Sequence, residues 1–383
     1  MKKKYYLLVF FILFGIAFFG QTQDLGNVTL ESLQEKRHPK DSSANAAILF
    51  KKGFTYMSFK AGSGYFLNHN IKLKIKIYKK EGLSNANLKI PFYVGFKHLS
   101  DETFKVKNAF TYNVIESQIS KIALKSEGVF ENKISQNWHE ALVTMPNVKV
   151  GSIFELEYTV TTQYFNRFPN FDFQYNIPAD NVEYRSEIPE FFIYKTLQIG
   201  YLGLKKNVEV VPFEKVFSSK YCNGFRYEPQ YVVSDYSFEN VPALMDQNFV
   251  DHIENYRGSI QNELERTRMP DSPVKDYTNT WEGVAKIIYN YSDFGKQLKL
   301  KSYFANDLKS LINVNISQEQ KLDTIFKFVQ HKMNWDNTER MFCQNGVEKA
   351  YQSKIGNSAE INFILIAMLT EAGFEARSCC GVD

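Results

Sequence analysis

One stretch of the chain decides the fold of its C-terminal part: NSAEINFILIAMLTEAG, residues 357–373. Asn357 is a favourable N-cap, and Glu360 follows at the spacing of a capping box. Gly373 marks the other end, because glycine readily takes the left-handed conformation that follows a helix. Apolar residues cover nearly every side of the segment between them. We therefore predict a helix buried in the middle of a domain.

Ser358 lies in the first turn of this predicted helix. A helix N-terminus can draw a thiol towards ionisation near neutral pH, but a serine hydroxyl stays protonated there and needs an adjacent general base. All six histidines precede Ser358 in the sequence. His331 is the one in the helical part, and we predict an exposed side chain for it. For Glu360 we favour a capping role.

The composition is that of a globular protein. The chain has 383 residues, of which 44% are hydrophobic and 23% are charged, so we expect two or three domains. Three lysines followed by an apolar segment predict a signal peptide at residues 1–22, and an uncleaved anchor is the alternative. Removing those lysines takes the net charge from +4 to 4 − 3 = +1. A near-neutral chain gives no reason to expect nucleic acid as a partner.

The four cysteines, Cys222, Cys343, Cys379 and Cys380, form neither a C-x-x-C motif nor a zinc pattern. Their pairing stays open, with three possible connectivities. We interpret Cys343, which lies in a turn-rich loop, as a structural or free thiol. Phosphate-binding loops, dinucleotide fingerprints, zinc helices and EF-hand loops are absent from the sequence. We therefore expect neither a cofactor nor a metal.

Short alternating segments follow one another from about Ile48 to Tyr236. In one of them Ile71, Leu73, Ile75 and Ile77 alternate with three lysines, which predicts a strand with one wet face. We predict an antiparallel β-sandwich at 46–245, preceded by a polar leader or linker at 25–45. Five aromatic residues between Tyr164 and Phe173 form either a binding surface or a strand that packs on the core.

The pattern becomes helical after the two prolines at 270 and 273. Trp281 begins one apolar spacing, and Ser317 with Gln320 caps a second helix. The predicted buried stripe of that second helix comprises Leu322, Ile325, Phe326, Val329 and Met333. We expect Trp281 and Trp335 in the core.

Three stretches carry a family resemblance: YRSEIPEFF at 184–192, ENYR at 254–257 with WE at 281–282, and GNSAEIN at 356–362. Together they resemble secreted bacterial proteins in which a β-rich domain of unknown function precedes a transglutaminase-like domain. The resemblance implies a papain-like core whose central helix carries a cysteine that works with a histidine and an aspartate on following strands. Ser358 stands at the position of that cysteine. The chain stops where those strands would begin, so we expect a truncated domain at 275–383.

These observations lead to one hypothesis and one alternative. The fold class we expect is β plus α/β: a β-sandwich followed by an incomplete transglutaminase-like unit. The expected function is a periplasmic or secreted cell-envelope protein that binds or scaffolds a protein or glycan, with Ser358 inactive. A membrane would be contacted only through an uncleaved N-terminal segment. The alternative is an enzyme that acts on peptide amides, of which this chain is an N-terminal fragment.

Overall fold

The structure is a computed structural model. In it the chain forms two compact units, Met1–Tyr277 and Thr278–Asp383. The predicted signal peptide, Cys379, Cys380 and the Trp281 side chain lie outside the described residues. The helices within the described part are too short or too polar to cross a membrane. The structure describes residues 24–95, 99–134, 137–224, 228–245, 250, 252–270, 272–277, 281–312 and 316–378.

The first unit consists mainly of strands, and these continue past residue 245. It opens with one short helix, α1 (Leu30–Gln34). The strands are β1 (Ala46–Lys60), β2 (Gly64–Ile77), β3 (Asn87–Tyr93), β4 (Thr103–Ile115), β5 (Gln118–Ala123), β6 (Val129–Lys133), β7 (Trp138–Thr144), β8 (Ile153–Thr162), β9 (Phe171–Asp172), β10 (Ala179–Pro189), β11 (Phe192–Ile199), β12 (Lys205–Val211), β13 (Cys222–Asn223), β14 (Tyr231–Val241), β15 (Ser259–Thr267) and β16 (Lys275–Asp276).

Within the described ranges, these strands form one large sheet and two smaller ones. The large sheet has the order β12-β14-β10-β1-β2-β8-β4-β5, and β13 adds to β1. One small sheet is β3-β7-β6, and the other is β11-β15-β16 with β9 on β15. Buried side chains from all three sheets belong to one hydrophobic cluster, which includes Leu73, Val143 and Ile260. The core therefore lies where one face of the large sheet packs against the small sheets.

The prediction of a wholly antiparallel sheet is wrong at the centre of the large sheet. β1 and β10 run parallel, with Ile48 beside Ala179 and Tyr56 beside Glu187. Alternation within a strand reports which side chains share a face, but it does not report the direction of the neighbouring strand. Parallel pairing needs a long crossover, and here the chain between the two strands forms most of the other strands.

The face of β2 that is predicted to be exposed to solvent is exposed only in part. Ile71, Ile75 and their alternating neighbours are buried as predicted, but Lys74 and Lys76 are buried as well. The Lys76 ammonium donates to the carbonyl oxygens of Leu33 and Gly151, at 2.6 and 2.8 Å. The segment predicted to be a leader or linker thus packs across this face of the sheet instead. One backbone carbonyl from that segment and one from Gly151, just before β8, satisfy the buried ammonium.

A polar network crosses the core side of the large sheet. The Tyr184 hydroxyl donates to Thr55 Oγ1 at 3.0 Å, and Thr55 Oγ1 lies 2.7 Å from His69 Nδ1. The threonine oxygen accepts from Tyr184, and its own proton is available to His69 Nδ1 when that nitrogen is unprotonated. Burial, with a further contribution from the charge of Lys51, lowers the pKa of His69 to about 3.

We expect the neutral His69 to make the protein lose stability as the pH falls below about 6.5. The unfolded chain takes up a proton there, whereas the native His69 does not, so unfolding is favoured by about 1.4 kcal/mol per pH unit. At pH 5 the loss amounts to about 2 kcal/mol. Urea unfolding at pH 7 and pH 5 measures it. His69→Gln, which keeps an acceptor for Thr55, should abolish this part of the pH dependence. An equal loss in the variant would contradict the assignment.

The second unit is built around one central helix. Its helices are α2 (Trp281–Asn290), α3 (Ala305–Leu311), α4 (Gln318–Lys332), α5 (Val347–Ser353) and α6 (Ser358–Glu371), and β17 (Asn334–Trp335) pairs in parallel with β18 (Ile355–Gly356). Buried residues of α6, such as Ile364 and Met368, form one cluster with Ile325 and Val329 of α4. The chain is therefore mostly β-sheet with a smaller helical part.

Two predictions about burial in this unit are wrong. The predicted buried stripe of α4 includes Leu322 and Phe326, yet these side chains are 44% and 50% exposed. Trp335, expected in the core, is 49% exposed. A stripe of apolar residues shows which side chains share a face, but burial also requires a neighbouring element at the same height. The capping box of Ser317 and Gln320 is confirmed.

Candidate functional site

Both ends of the central helix α6 follow the sequence prediction. Asn357 Oδ1 accepts from the Glu360 amide at 2.9 Å, and Glu360 Oε2 accepts from the Asn357 amide at 3.0 Å. At the other end Gly373 has φ +93°, its amide donates to the Thr370 carbonyl, and the Phe374 amide donates to the Leu369 carbonyl. This is a Schellman motif. The two caps fix where the helix begins, and so they fix the position of Ser358.

The Ser358 hydroxyl is bonded twice to the backbone of a single residue. It accepts from the Arg340 amide at 2.8 Å and donates to the Arg340 carbonyl at 3.0 Å. The Ser358 amide donates to the Thr338 carbonyl at 3.1 Å. The half-buried side chain therefore ties the loop before α5 to the first turn of α6. Sequence spacing alone could not identify Arg340 or Thr338 as partners of Ser358.

Glu360 has a second role besides capping. Its side chain is fully buried, and Oε1 accepts from the amides of Gln344, Asn345 and Gly346 at 3.0, 2.6 and 3.0 Å. Consecutive amides that converge on one oxygen form an anion-binding concavity. Gly346 closes this turn with φ +88°. The buried carboxylate thus holds the whole 344–346 loop against the helix.

Cys343, next to this loop, is not activated. Its thiol is buried, and burial together with the charges of Glu360 and Asp293 raises its pKa to about 12. A thiol with a raised pKa carries almost no thiolate at neutral pH and is a poor nucleophile. This agrees with the interpretation of Cys343 as a structural or free thiol. Cys222 is also free, and burial raises its pKa.

The other candidate residues from the sequence, His331 and Trp335, bond to backbone carbonyls and not to a nucleophile. His331 is exposed, as predicted, and its Nδ1 lies 2.6 Å from the Lys327 carbonyl oxygen. Trp335 Nε1 donates to the Thr338 carbonyl at 3.1 Å, so the indole is fixed although its ring is exposed. Among the residues that the structure describes, three or more His, Cys, Asp or Glu side chains nowhere gather as a metal site would require.

The aromatic-rich segment at 164–173 packs on the core. Phe168, Phe171 and Phe173 are buried in the cluster of the first unit. The Phe171 ring stacks on Tyr184 at 4.5 Å between centroids. The burial of these rings therefore supports a packing role for the segment and not a binding surface.

One part of the chain matches the model of a domain family. Residues 68–210 match DUF3857, a domain of unknown function with a solved structure. This region includes β3 to β11 completely and is contained in the first unit. Curated proteins gave no match to the chain. The match therefore supports the predicted domain of unknown function and assigns no activity.

Solved structures add information about the fold. The chain is similar to a candidate protease from Parabacteroides distasonis, with a TM-score of 0.55, 12% identity, and coverage of 86% of this chain and 59% of that one. The chain thus spans 59% of that structure's length. At this identity the likeness establishes the fold alone. A candidate nutrient-binding protein from Legionella pneumophila matches at a TM-score of 0.24 and 9% identity, over 81% of this chain and 93% of that one. This score supports no conclusion.

Proposed function

We propose that the protein is an exported cell-envelope protein that binds or scaffolds a protein or glycan, and that its transglutaminase-like second unit is not catalytic. One observation carries the second half of the proposal: the Ser358 hydroxyl is occupied by the Arg340 backbone on both sides. Its proton is directed at an amide carbonyl, which is far too weak a base to remove it. The proposal places the protein in the periplasm or outside the cell because of the apolar N-terminal segment.

The local electrostatics support the same conclusion. The dipole of α6 favours negative charge at its N-terminus. A serine hydroxyl is so weak an acid, however, that this effect does not deprotonate it. The nearby negative charge of Glu360 is buried and already bonded to four backbone amides. A carboxylate engaged in this way stabilises structure and is not free to accept the Ser358 proton.

The alternative function is an enzyme that acts on peptide amides, with Ser358 as nucleophile. Its support is the position of Ser358, which begins a buried central helix while its own side chain stays partly open to solvent. The fold similarity to a candidate protease agrees with this alternative but does not establish it.

The two functions predict different results when the full chain is incubated with a glutamine peptide and a primary amine. We expect no amine incorporation and no ammonia release, either in the wild type or in Ser358→Cys. Ammonia release that disappears in Ser358→Ala would establish the enzyme and overturn the proposal.

We also expect Ser358→Ala to lower the free energy of unfolding of the second unit by about 1–2 kcal/mol, because the Arg340 amide and carbonyl lose their partner.

A further inference from the structure

A groove of about 760 Å³ lies on the face of the large sheet opposite the core. Its floor includes Phe50, Lys52, Phe54 and Tyr56, which alternate along β1 with residues that face the core. One wall is the segment at 214–221, and the other side includes Asp24. All of these residues belong to the first unit. The volume is within the range of small-molecule sites, about 300–1,000 Å³.

Four aromatic rings form a continuous surface at one end of this groove. Phe54 stacks on Tyr56 at 5.0 Å, and both rings meet Phe217 edge-on at 5.2 and 5.6 Å. Tyr221 lies 5.3 Å from Phe217. Phe217 and Tyr221 are 42% and 50% exposed. Aromatic rings that remain this exposed while packed together mark a recognition surface.

The wall that carries Phe217 and Tyr221 is anchored to the floor. Glu187 of β10 is buried, and its Oε2 accepts from the Ser218 amide at 3.1 Å. Its Oε1 pairs with Arg185 at 3.0 Å, and Arg185 also pairs with Asp235 at 2.9 Å. The aromatic surface is thus held in place before a ligand arrives, which lowers the entropic cost of binding.

The charges that line the groove indicate the character of the ligand. Most of them already have a partner of opposite sign: Lys72 pairs with Asp24 at 3.0 Å, and Lys52 pairs with Glu183 at 3.1 Å. A strongly charged ligand would have to compete with these pairs. A neutral ligand with many hydroxyl groups could instead donate to the carboxylates and accept from Arg185 and the lysines. Its apolar faces would lie on the aromatic rings.

An extended peptide fits this groove less well. The floor is formed by β10, β1 and β2, which are interior strands of the sheet with neighbours on both sides. Peptides that bind by strand addition need a free sheet edge for their backbone hydrogen bonds. A sugar chain has no such requirement, since rings and hydroxyl groups provide its contacts.

We propose that this groove binds a short neutral oligosaccharide, with its sugar rings stacked on Phe217 and Tyr221. The proposal rests on the proposed binding function and specifies its ligand class and its site. It concerns the first unit alone, so Ser358 has no part in it.

The test is calorimetric titration of the full chain with maltoheptaose and tetra-N-acetylchitotetraose as neutral probes, an oligogalacturonate as anionic probe, and an uncharged ten-residue peptide. We expect at least one neutral saccharide to bind, and Phe217→Ala to weaken it about tenfold. Tyr201→Ala is the matched control, because Tyr201 is a surface aromatic of the same unit, 89% exposed and outside the groove, and it should leave affinity unchanged.

Three results would overturn the proposal: no binding of either neutral saccharide, binding of only the anionic saccharide or the peptide, or equal affinity in the wild type and Phe217→Ala. Thermal unfolding of both variants shows whether the truncated side chains leave the fold intact. A turnover dependent on Ser358 would contradict the proposed function without affecting this titration, so the two failures can be distinguished.

Discussion

Replacing Glu360 by alanine is expected to lower the free energy of unfolding of the second unit by about 3–5 kcal/mol. The carboxylate accepts from four backbone amides, those of Asn357, Gln344, Asn345 and Gly346. Without it, these donors lose their common acceptor beside a buried cluster, and each unsatisfied donor is costly. Urea unfolding followed by far-ultraviolet circular dichroism measures the loss. Hydrogen exchange of the amides at 344–346 should accelerate in the same variant.

Two further variants test the specificity of this effect. Glu360→Gln keeps the shape and one acceptor oxygen, so its loss should be intermediate. Glu319→Ala is the matched control, because Glu319 also lies in the first turn of a helix but is exposed, and it should change stability by less than about 0.5 kcal/mol. A similar small effect of Glu360→Ala would show that the loop does not depend on the carboxylate.

Gly53→Ala is expected to destabilise the first unit by about 3 kcal/mol, because a Cβ at this position has no room. It would lie 2.3 Å from Phe171 Cε2 and 2.9 Å from Tyr184 Cδ2. Those two rings are stacked with an interplanar angle of 12°, so neither can move without disturbing the other. Thermal or urea unfolding of the full chain measures the change.

The matched control for this prediction is Gly203→Ala. Gly203 is exposed, and a Cβ there would meet no atom within 4 Å. We expect this variant to be as stable as the wild type or slightly more stable, since alanine restricts the unfolded chain. Equal losses in both glycine variants would mean that packing around Gly53 is not the cause.

Local features of the fold could be predicted from the sequence because their causes are local. The capping boxes of α4 and α6 depend on residues three positions apart, and the end of α6 depends on a single glycine. The alternation in β2 likewise identified Ile71 and Ile75 as core residues. The same patterns predict that Ser358 lies at the start of a buried helix.

Long-range features could not be predicted in the same way. Lys76 is buried because a segment some forty residues earlier crosses it, and a lysine in an alternating strand gives no sign of that. The parallel pairing of β1 with β10 joins positions more than a hundred residues apart. The groove brings together Phe54 and Phe217, which are also more than a hundred residues apart in the chain. The spacing of residues along a sequence carries no information about such long-range contacts.

The hydrogen bonds between Ser358 and Arg340 could not be predicted from the sequence either, although they decide how the site is interpreted. A serine in the first turn of a helix is compatible with a nucleophile and with a structural link. Only the loop at 338–346, whose path depends on Glu360, shows which backbone groups surround the hydroxyl.

Acylation distinguishes a Ser358 hydroxyl that only holds the loop from one that attacks carbonyl carbon. The full chain is incubated with p-nitrophenyl acetate and digested, and the peptide that contains Ser358 is examined by mass spectrometry. We expect this peptide to keep its unmodified mass in both the wild type and Ser358→Ala. An acetyl ester on Ser358 that forms in the wild type and is missing from Ser358→Ala would contradict it.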